Sequence, residues 1–285
     1  MNDKASFGGS GLVRIGRSVR TTAYKVLGPF DYAFRLVNRL THYPPLHLRK
    51  HVGGTNAGFN GPGYEFAAYL RLLAQLRDDS HVWDIGCGCG MLELALQDLG
   101  WRGRLIGTDI HRPCIEWARA HIGDGNHGYS FVHMDIYNPA YWRSGRLNAS
   151  QWLEGVAHRD FDIVVAKSLF THMLPDEIDV YLGGIAERLR PGGKALLTFF
   201  ILSDEQRRLA AQGRNSMAFQ PLPAVEGCFV RNPHAPTAAV AYEREFLLDR
   251  LGKAGFRVDG CAHHLGTWTG ASNGLSFQDI VVAGT

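Results

Sequence analysis

The stretch Asp84-Ile85-Gly86-Cys87-Gly88-Cys89-Gly90 sets three glycines in alternation with other residues, two of them cysteines. Either set could carry function: the thiols as metal or redox ligands, or the glycines as a loop that lets a ligand approach the backbone. The flanks and the spacing favour the glycines. Val82–Ile85 is a short apolar run of strand size, and Met91–Leu99 has helical spacing that ends at Gly100. A strand that ends in Asp-x-Gly-x-Gly-x-Gly and enters a helix reads as a nucleotide-type turn, because glycine admits positive φ and close backbone approach. A dinucleotide turn needs G-x-G-x-x-G, whereas here the third glycine falls at 90 and position 91 is Met. A phosphate loop ends in G-K-[ST], and no Lys-Ser/Thr follows. The spacing therefore predicts a nucleoside ligand without a pyrophosphate. Zinc takes about four tetrahedral ligands, and only Cys87-x-Cys89 is local, with His111 and Cys114 at the start of another helix. No metal is expected, and the cysteines read as small fillers.

Working outward, strand and helix alternate. Arg104–Asp109, Tyr129–Met134, Phe161–Ala166 and Ala195–Ile201 read as strands. Pro113–His121 and Pro175–Arg190 read as helices, the latter with Ile178, Tyr181, Leu182, Ile185 and Leu189 as its inward stripe and Arg190-Pro191-Gly192-Gly193 as its stop. This rhythm predicts an α/β sheet of parallel strands with helices on both faces. Asp109 and Asp135 close the second and third strands on the ligand side. There one carboxylate can accept from ribose hydroxyls and the other from an adenine amino group. Residues 203–241 lose the rhythm and read as an insertion near the sheet edge. A helix at Arg244–Ala254 and strands at Arg257–Cys261 and Phe277–Ala283 close the chain.

These segments resemble a class I S-adenosylmethionine-dependent methyltransferase. The resemblance rests on 82–90 (VWDIGCGCG), 105–110 (LIGTDI), 133–136 (HMDI), 161–173 (FDIVVAKSLFTHM), 189–193 (LRPGG) and 254–256 (AGF). It implies a Rossmann-like seven-stranded sheet of order 3-2-1-4-5-7-6, its last strand antiparallel, over residues 61–285, with an N-terminal helical extension at 1–60. It also implies S-adenosylmethionine as cofactor, S-adenosylhomocysteine as product, and a cofactor site of Asp84, Gly86, Cys87, Gly88, Gly90, Asp109, Ile110, Asp135, Ile136, Lys167 and Ser168. A narrower resemblance, in 44–54 (PPLHLRKHVGG), 168–172 (SLFTH) and 277–283 (FQDIVVA), implies bacterial glycan or natural-product assembly and a hydroxyl acceptor on a sugar-containing or other small molecule.

His172, a short turn beyond the fourth strand, is the first candidate for a general base, since a neutral imidazole suits proton removal near pH 7. His264 is the second. Thr267 and Trp268 could form a stacking wall for a sugar ring, with Trp268 packed in the core as the alternative. Arg49 and His51, within a cluster with His47 and Lys50, could clamp an anionic acceptor.

Residues 1–51 hold nine Lys or Arg against Asp3 and Asp31, and the rest of the chain is mildly acidic. Leu12, Ile15, Val19, Ala23 and Val26 recur at helical spacing, Gly28-Pro29 is expected to break the pattern, and Phe30, Phe34, Val37 and Leu40 resume it. This basic arm has three readings: an anionic membrane surface, a cover for the active site, or a dimer contact. It carries too little charge for nucleic acid. An odd count of five cysteines in a long chain does not suggest a disulfide framework. The lack of a signal-like apolar core in the first twenty residues, together with no membrane-length apolar run, leads to an expected cytoplasmic location.

Overall fold

The computed structural model describes residues 27–50, 52, 57–122, 128–138, 142–223 and 225–285. Two compact units divide the chain at residues 61 and 62. The expected helical spacing at Leu12–Val26, and His51 of the proposed clamp, lie outside the described residues.

In the first unit a helix, α1, runs through residues 27–37. Gly28 and Pro29 lie in its first described turn, where a proline is tolerated, and the residues before Leu27, where the expected break would show, lie outside the described residues. Asp31 organises this unit. Its carboxylate accepts from Arg35 Nε (3.0 Å), from Leu46 N (3.2 Å) and from Arg49 Nη2. Arg35 Nη1 also donates to Tyr43 O at 2.8 Å. Arg49 closes the one-turn helix α2 (Leu46–Arg49) and is 1 % exposed. The proposed clamp is corrected here: a guanidinium that is buried and ion-paired to Asp31 holds the unit together and is not offered to an acceptor. The basic run at 47–51 hid this partner because Asp31 lies far back in sequence.

The second unit is the α/β body. Its elements are α3 (Gly61–Leu72), β1 (His81–Ile85), α4 (Met91–Asp98), β2 (Arg104–Asp109), α5 (Arg112–His121), β3 (Tyr129–His133), β4 (Phe161–Ala166), α6 (Pro175–Arg188) and β5 (Leu189–Leu202). Beyond these come α7 (Asp204–Ala211), β6 (Gln220–Pro221), β7 (Cys228–Val230), β8 (Val240–Glu243), α8 (Arg244–Ala254), β9 (Ala262–His264) and β10 (Asp279–Gly284).

Strands β3, β2, β1, β4 and β5 pair in that order and in parallel. Strand β10 is antiparallel to β5, and β9 is antiparallel to β10. The path β3-β2-β1-β4-β5-β10-β9 reproduces the expected seven-stranded order. The insertion adds more strands: β8 runs parallel to the last residues of β5, and β7 and β6 follow it. Its polar, proline-rich sequence hid these short strands.

Every residue of β1 is buried, which is how an apolar run behaves inside a parallel sheet covered on both faces. On one face Trp83 stacks on Trp152 (centroids 5.2 Å apart), which stacks on Tyr181 of α6 (4.2 Å). Offset aromatic pairs of this kind contribute about 0.5–1.5 kcal/mol beyond their buried area. The Arg190–Gly193 run does not precede β5 but forms a bulge within it. Phe161 pairs with Leu189, and the register then jumps so that Ile163 pairs with Lys194. Trp268 is 1 % exposed, and its Nε1 donates to Asp279 Oδ2 at 2.8 Å. The stacking wall is therefore corrected too: this ring is core and presents no face to a sugar.

Candidate functional site

The strand order reverses between β1 and β4, and in open α/β sheets ligands bind beyond the carboxyl ends of strands at such a switch. The glycine loop leaves β1 at this point. Gly86, Gly88 and Gly90 have φ of 80°, 58° and 77°. Three alternating left-handed residues require glycine, and a Cβ on Gly90 would stand 2.4 Å from Ile122 Cδ1.

Four of the five N–H groups of the Gly86–Gly90 loop are used internally. Those of Gly86 and Cys87 donate to Thr108 O (2.7 and 3.1 Å), that of Gly88 to Asp109 Oδ2 (2.9 Å) and that of Gly90 to Cys87 O (3.0 Å). A phosphate cradle needs such groups turned outward. Here carboxylates face the switch point instead. Asp84 is the last residue but one of β1 and is 5 % exposed. Burial raises its carboxyl to about 7, against the pull of Lys167 and with Asp109 adding to the rise. Asp109 accepts His111 N at 2.6 Å on Oδ1, opposite Gly88 on Oδ2. Each of its oxygens keeps a second lone pair for a diol. Burial raises Asp109 as well, and its two backbone bonds oppose the rise.

Glu93, which the sequence reading passed over, lies beneath the glycine loop. It is fully buried in the first turn of α4, and neither carboxyl oxygen finds a hydrogen-bond partner in another residue. Burial, then Asp84, pushes its carboxyl well above the usual range. The signal was present in Met91–Leu96: a helix apolar on every side is buried on every side, so its single acid is buried with it. Gly107 makes room for it, since a Cβ there would lie 2.7 Å from Glu93 Oε1 and 3.0 Å from Cys87 Sγ.

Cys87 is buried beneath the loop, and only its backbone shapes the turn. Cys89 and Cys114, read as separate, are packed together with Sγ atoms 2.9 Å apart, and His111 Nδ1 lies 3.1 Å from Cys114 Sγ. Thiolates sharing one tetrahedral zinc stand about 3.8 Å apart, from Zn–S bonds of about 2.3 Å. This contact is a hydrogen-bonded thiol pair. Among the described residues no group of three or more His, Cys, Asp and Glu is arranged to hold a metal ion.

Asp135 lies two residues beyond β3. Its Oδ2 accepts Arg146 Nε at 2.6 Å and its Oδ1 accepts Trp142 Nε1 at 3.2 Å. The bond from Arg146, then that from Trp142, lowers its carboxyl below the usual range. The Trp142 ring meets His133 edge-on at 5.4 Å. Trp142, His133 and Arg146 were not anticipated; nothing local in sequence ties 142–146 to 135. Ile110 is half-buried beside Asp109, and Ile136 is buried.

Beyond β4, Lys167 Nζ sits 4.9 Å over the Phe66 ring and 3.8 Å from Met91 Sδ. Burial lowers its ammonium, and Asp84 and Glu65 counter that. Ser168 is left-handed at φ 54°, a strained position for a non-glycine residue. It is held by its N–H to Thr198 Oγ1 (2.7 Å) and by its Oγ to Gln278 Oε1 (3.1 Å). His172 ends the 3-10 turn Phe170–His172, with Nδ1 3.0 Å from Thr237 O. His264 ends β9, and burial, then His263, lowers its imidazole.

An acid-rich switch point whose loop amides are mostly spent suits a ligand with a sulfonium and an ammonium, and it suits a pyrophosphate poorly. A family model described as methyltransferase domain matches residues 62–259, more than half of the chain. The fold is shared with the PH0226 protein of Pyrococcus horikoshii at TM-score 0.51 and 17 % identity, over 80 % of this chain and 92 % of that one. It is shared also with a candidate O-methyltransferase of Nostoc punctiforme at TM-score 0.50 and 16 % identity, where the match covers 79 % of this chain but only 56 % of that one. The glycopeptide N-methyltransferase MtfA, solved with S-adenosylhomocysteine, aligns at TM-score 0.48 and 16 % identity over 78 % of this chain and 90 % of that one. The chain belongs to the methyltransferase-domain family and is a class I S-adenosylmethionine-dependent methyltransferase.

Proposed function

We propose that the enzyme methylates a hydroxyl of a sugar-containing or other small metabolite, with His172 as general base. The observation that carries this reading is the contact between His172 Nδ1 and Thr237 O. A carbonyl only accepts, so Nδ1 carries the proton in the neutral ring and the tautomer with a basic Nε2 is selected. A hydroxyl must lose its proton as it attacks, whereas a neutral amine attacks first, so a fixed basic tautomer favours an oxygen nucleophile. His172 follows β4, which borders the switch point, whereas β9, with His264, lies three strands beyond β4. That topology favours His172.

Bound S-adenosylmethionine supplies an electrophilic methyl on a sulfonium. In this reading Asp109 holds the ribose diol, Asp135 faces the adenine amino group, and Ile110 and Ile136 supply apolar contact to the base. Asp84 meets the ammonium through water, and Lys167 and Ser168 line the methionine side. The remainder of catalysis is positioning of the acceptor oxygen. His172→Ala is expected to lower kcat by about 10²–10⁴-fold with S-adenosylhomocysteine affinity unchanged. Methyl-transfer assays on hydroxylated and amine acceptors, paired with calorimetry, check this. Unchanged turnover removes His172 as the base, and transfer to amines alone removes the oxygen acceptor.

Cofactor affinity should also depend on pH. A ligand ammonium stabilises the Asp84 carboxylate, so its pKa in the complex lies below the value of about 7 in the free protein. Affinity is then full above about 7 and falls by up to about tenfold per unit as pH drops below it. Calorimetric titrations across this range should show the slope in the wild type and a flatter line in Asp84→Asn. An equally flat wild-type profile contradicts the assignment.

A further inference from the structure

Helix α1 carries its charges inside and its apolar side chains outside. Asp31 and Arg35 are its buried residues, while Leu27, Phe30, Phe34 and Val37 are 46, 70, 44 and 81 % exposed. At about 100° per residue these four share one stripe with Ala33. Tyr32 and Leu36 are exposed on a second side. Clustered apolar exposure of this kind marks a contact surface.

The charge around the stripe points to the partner. The segment 1–51 holds nine Lys or Arg against two acids; Arg35 and Arg49 are buried and taken by Asp31, which leaves seven bases against Asp3. Before Leu27, outside the described residues, the sequence supplies Lys4, Arg14, Arg17, Arg20 and Lys25. A symmetric contact between two copies would bring like charges together. An anionic bilayer satisfies both features at once, because the apolar face enters the headgroup boundary and the bases meet lipid phosphates. We propose that α1 docks this methyltransferase on an anionic lipid surface through Phe30, Phe34 and Val37, with the basic segment supplying the electrostatic attraction.

The test uses the full chain in vesicle sedimentation, with phosphatidylcholine alone and with phosphatidylcholine and phosphatidylglycerol at about 7:3. The wild type should sediment with the anionic vesicles only, and less so when salt is raised from about 0.1 to about 0.5 M. The double variant F30E/F34E should lower partitioning by at least about tenfold with S-adenosylhomocysteine affinity intact. Val37→Glu, at the most exposed of the three positions, gives a second reading should the double variant fold poorly. The proposal is overturned if the wild type ignores anionic vesicles or if the variants bind them as well as the wild type does. It is equally overturned if light scattering finds a dimer that the variants dissociate while vesicle binding is absent.

Discussion

Asp109→Ala is expected to weaken S-adenosylhomocysteine binding by about 100-fold or more, roughly 2.7 kcal/mol. Two effects combine. The ligand loses hydrogen bonds to a charged acceptor, each contributing about 1.5–3 kcal/mol. The glycine loop also loses its own fixing, because Asp109 receives Gly88 N at 2.9 Å and His111 N at 2.6 Å. The same carboxylate therefore shapes the loop and faces the ligand. Calorimetry measures the loss, and a thermal melt of the ligand-free variant separates it from unfolding. Asp109→Asn keeps one acceptor oxygen and should fall between wild type and Ala. Wild-type affinity in the Ala variant would remove Asp109 from the site.

The second large effect is on stability. Asp279, the first residue of β10, is fully buried and accepts from five donors. Ile201 N and Trp268 Nε1 reach Oδ2 at 2.9 and 2.8 Å, and Gly266 N and His263 Nε2 reach Oδ1 at 2.9 and 3.2 Å. Gln206 Nε2 is the fifth donor. One carboxylate thus ties β10 to β5, α7, β9 and the turn that carries Trp268. Asp279→Ala leaves these donors facing an apolar gap, and removal of one side of such a buried network costs about 3–5 kcal/mol. A domain of this size loses about 2–4 °C per kcal/mol, so the melting temperature should fall by about 10 °C. Denaturant unfolding of the two proteins checks this, and a change below about 1 kcal/mol would show that the network is dispensable.

What was legible in the sequence was what is local. The Val82–Leu99 segment spells strand, glycine turn and helix within a few residues, and the structure places β1 at His81–Ile85 and α4 at Met91–Asp98. The parallel sheet followed from alternation, and the order of its strands from the resemblance. Contacts made across long sequence separations were hidden. Arg49 looked like part of a basic clamp because its partner Asp31 precedes it by a whole helix and turn. Trp268 stayed open between a stacking platform and the core because Asp279, which pins its indole, lies on another strand. The strand expected at Arg257–Cys261 is a 3-10 turn at Val258–Gly260 followed by β9. Pairing with β10, not local propensity, decides where that edge strand lies. Asp135 was readable as a strand-end acid, but its lock by Arg146 and Trp142 was not.

The most direct test of the site assignment is calorimetric titration of the purified chain with S-adenosylhomocysteine, with NAD as the control. The account predicts a Kd in the micromolar range for the former, about −8 kcal/mol, and no binding of the latter, because four of the five loop amides are spent on Thr108, Asp109 and Cys87 and acids, not donors, line the switch point. Binding of NAD in preference, or of neither, would contradict the assignment of the Gly86–Gly90 loop and its acids.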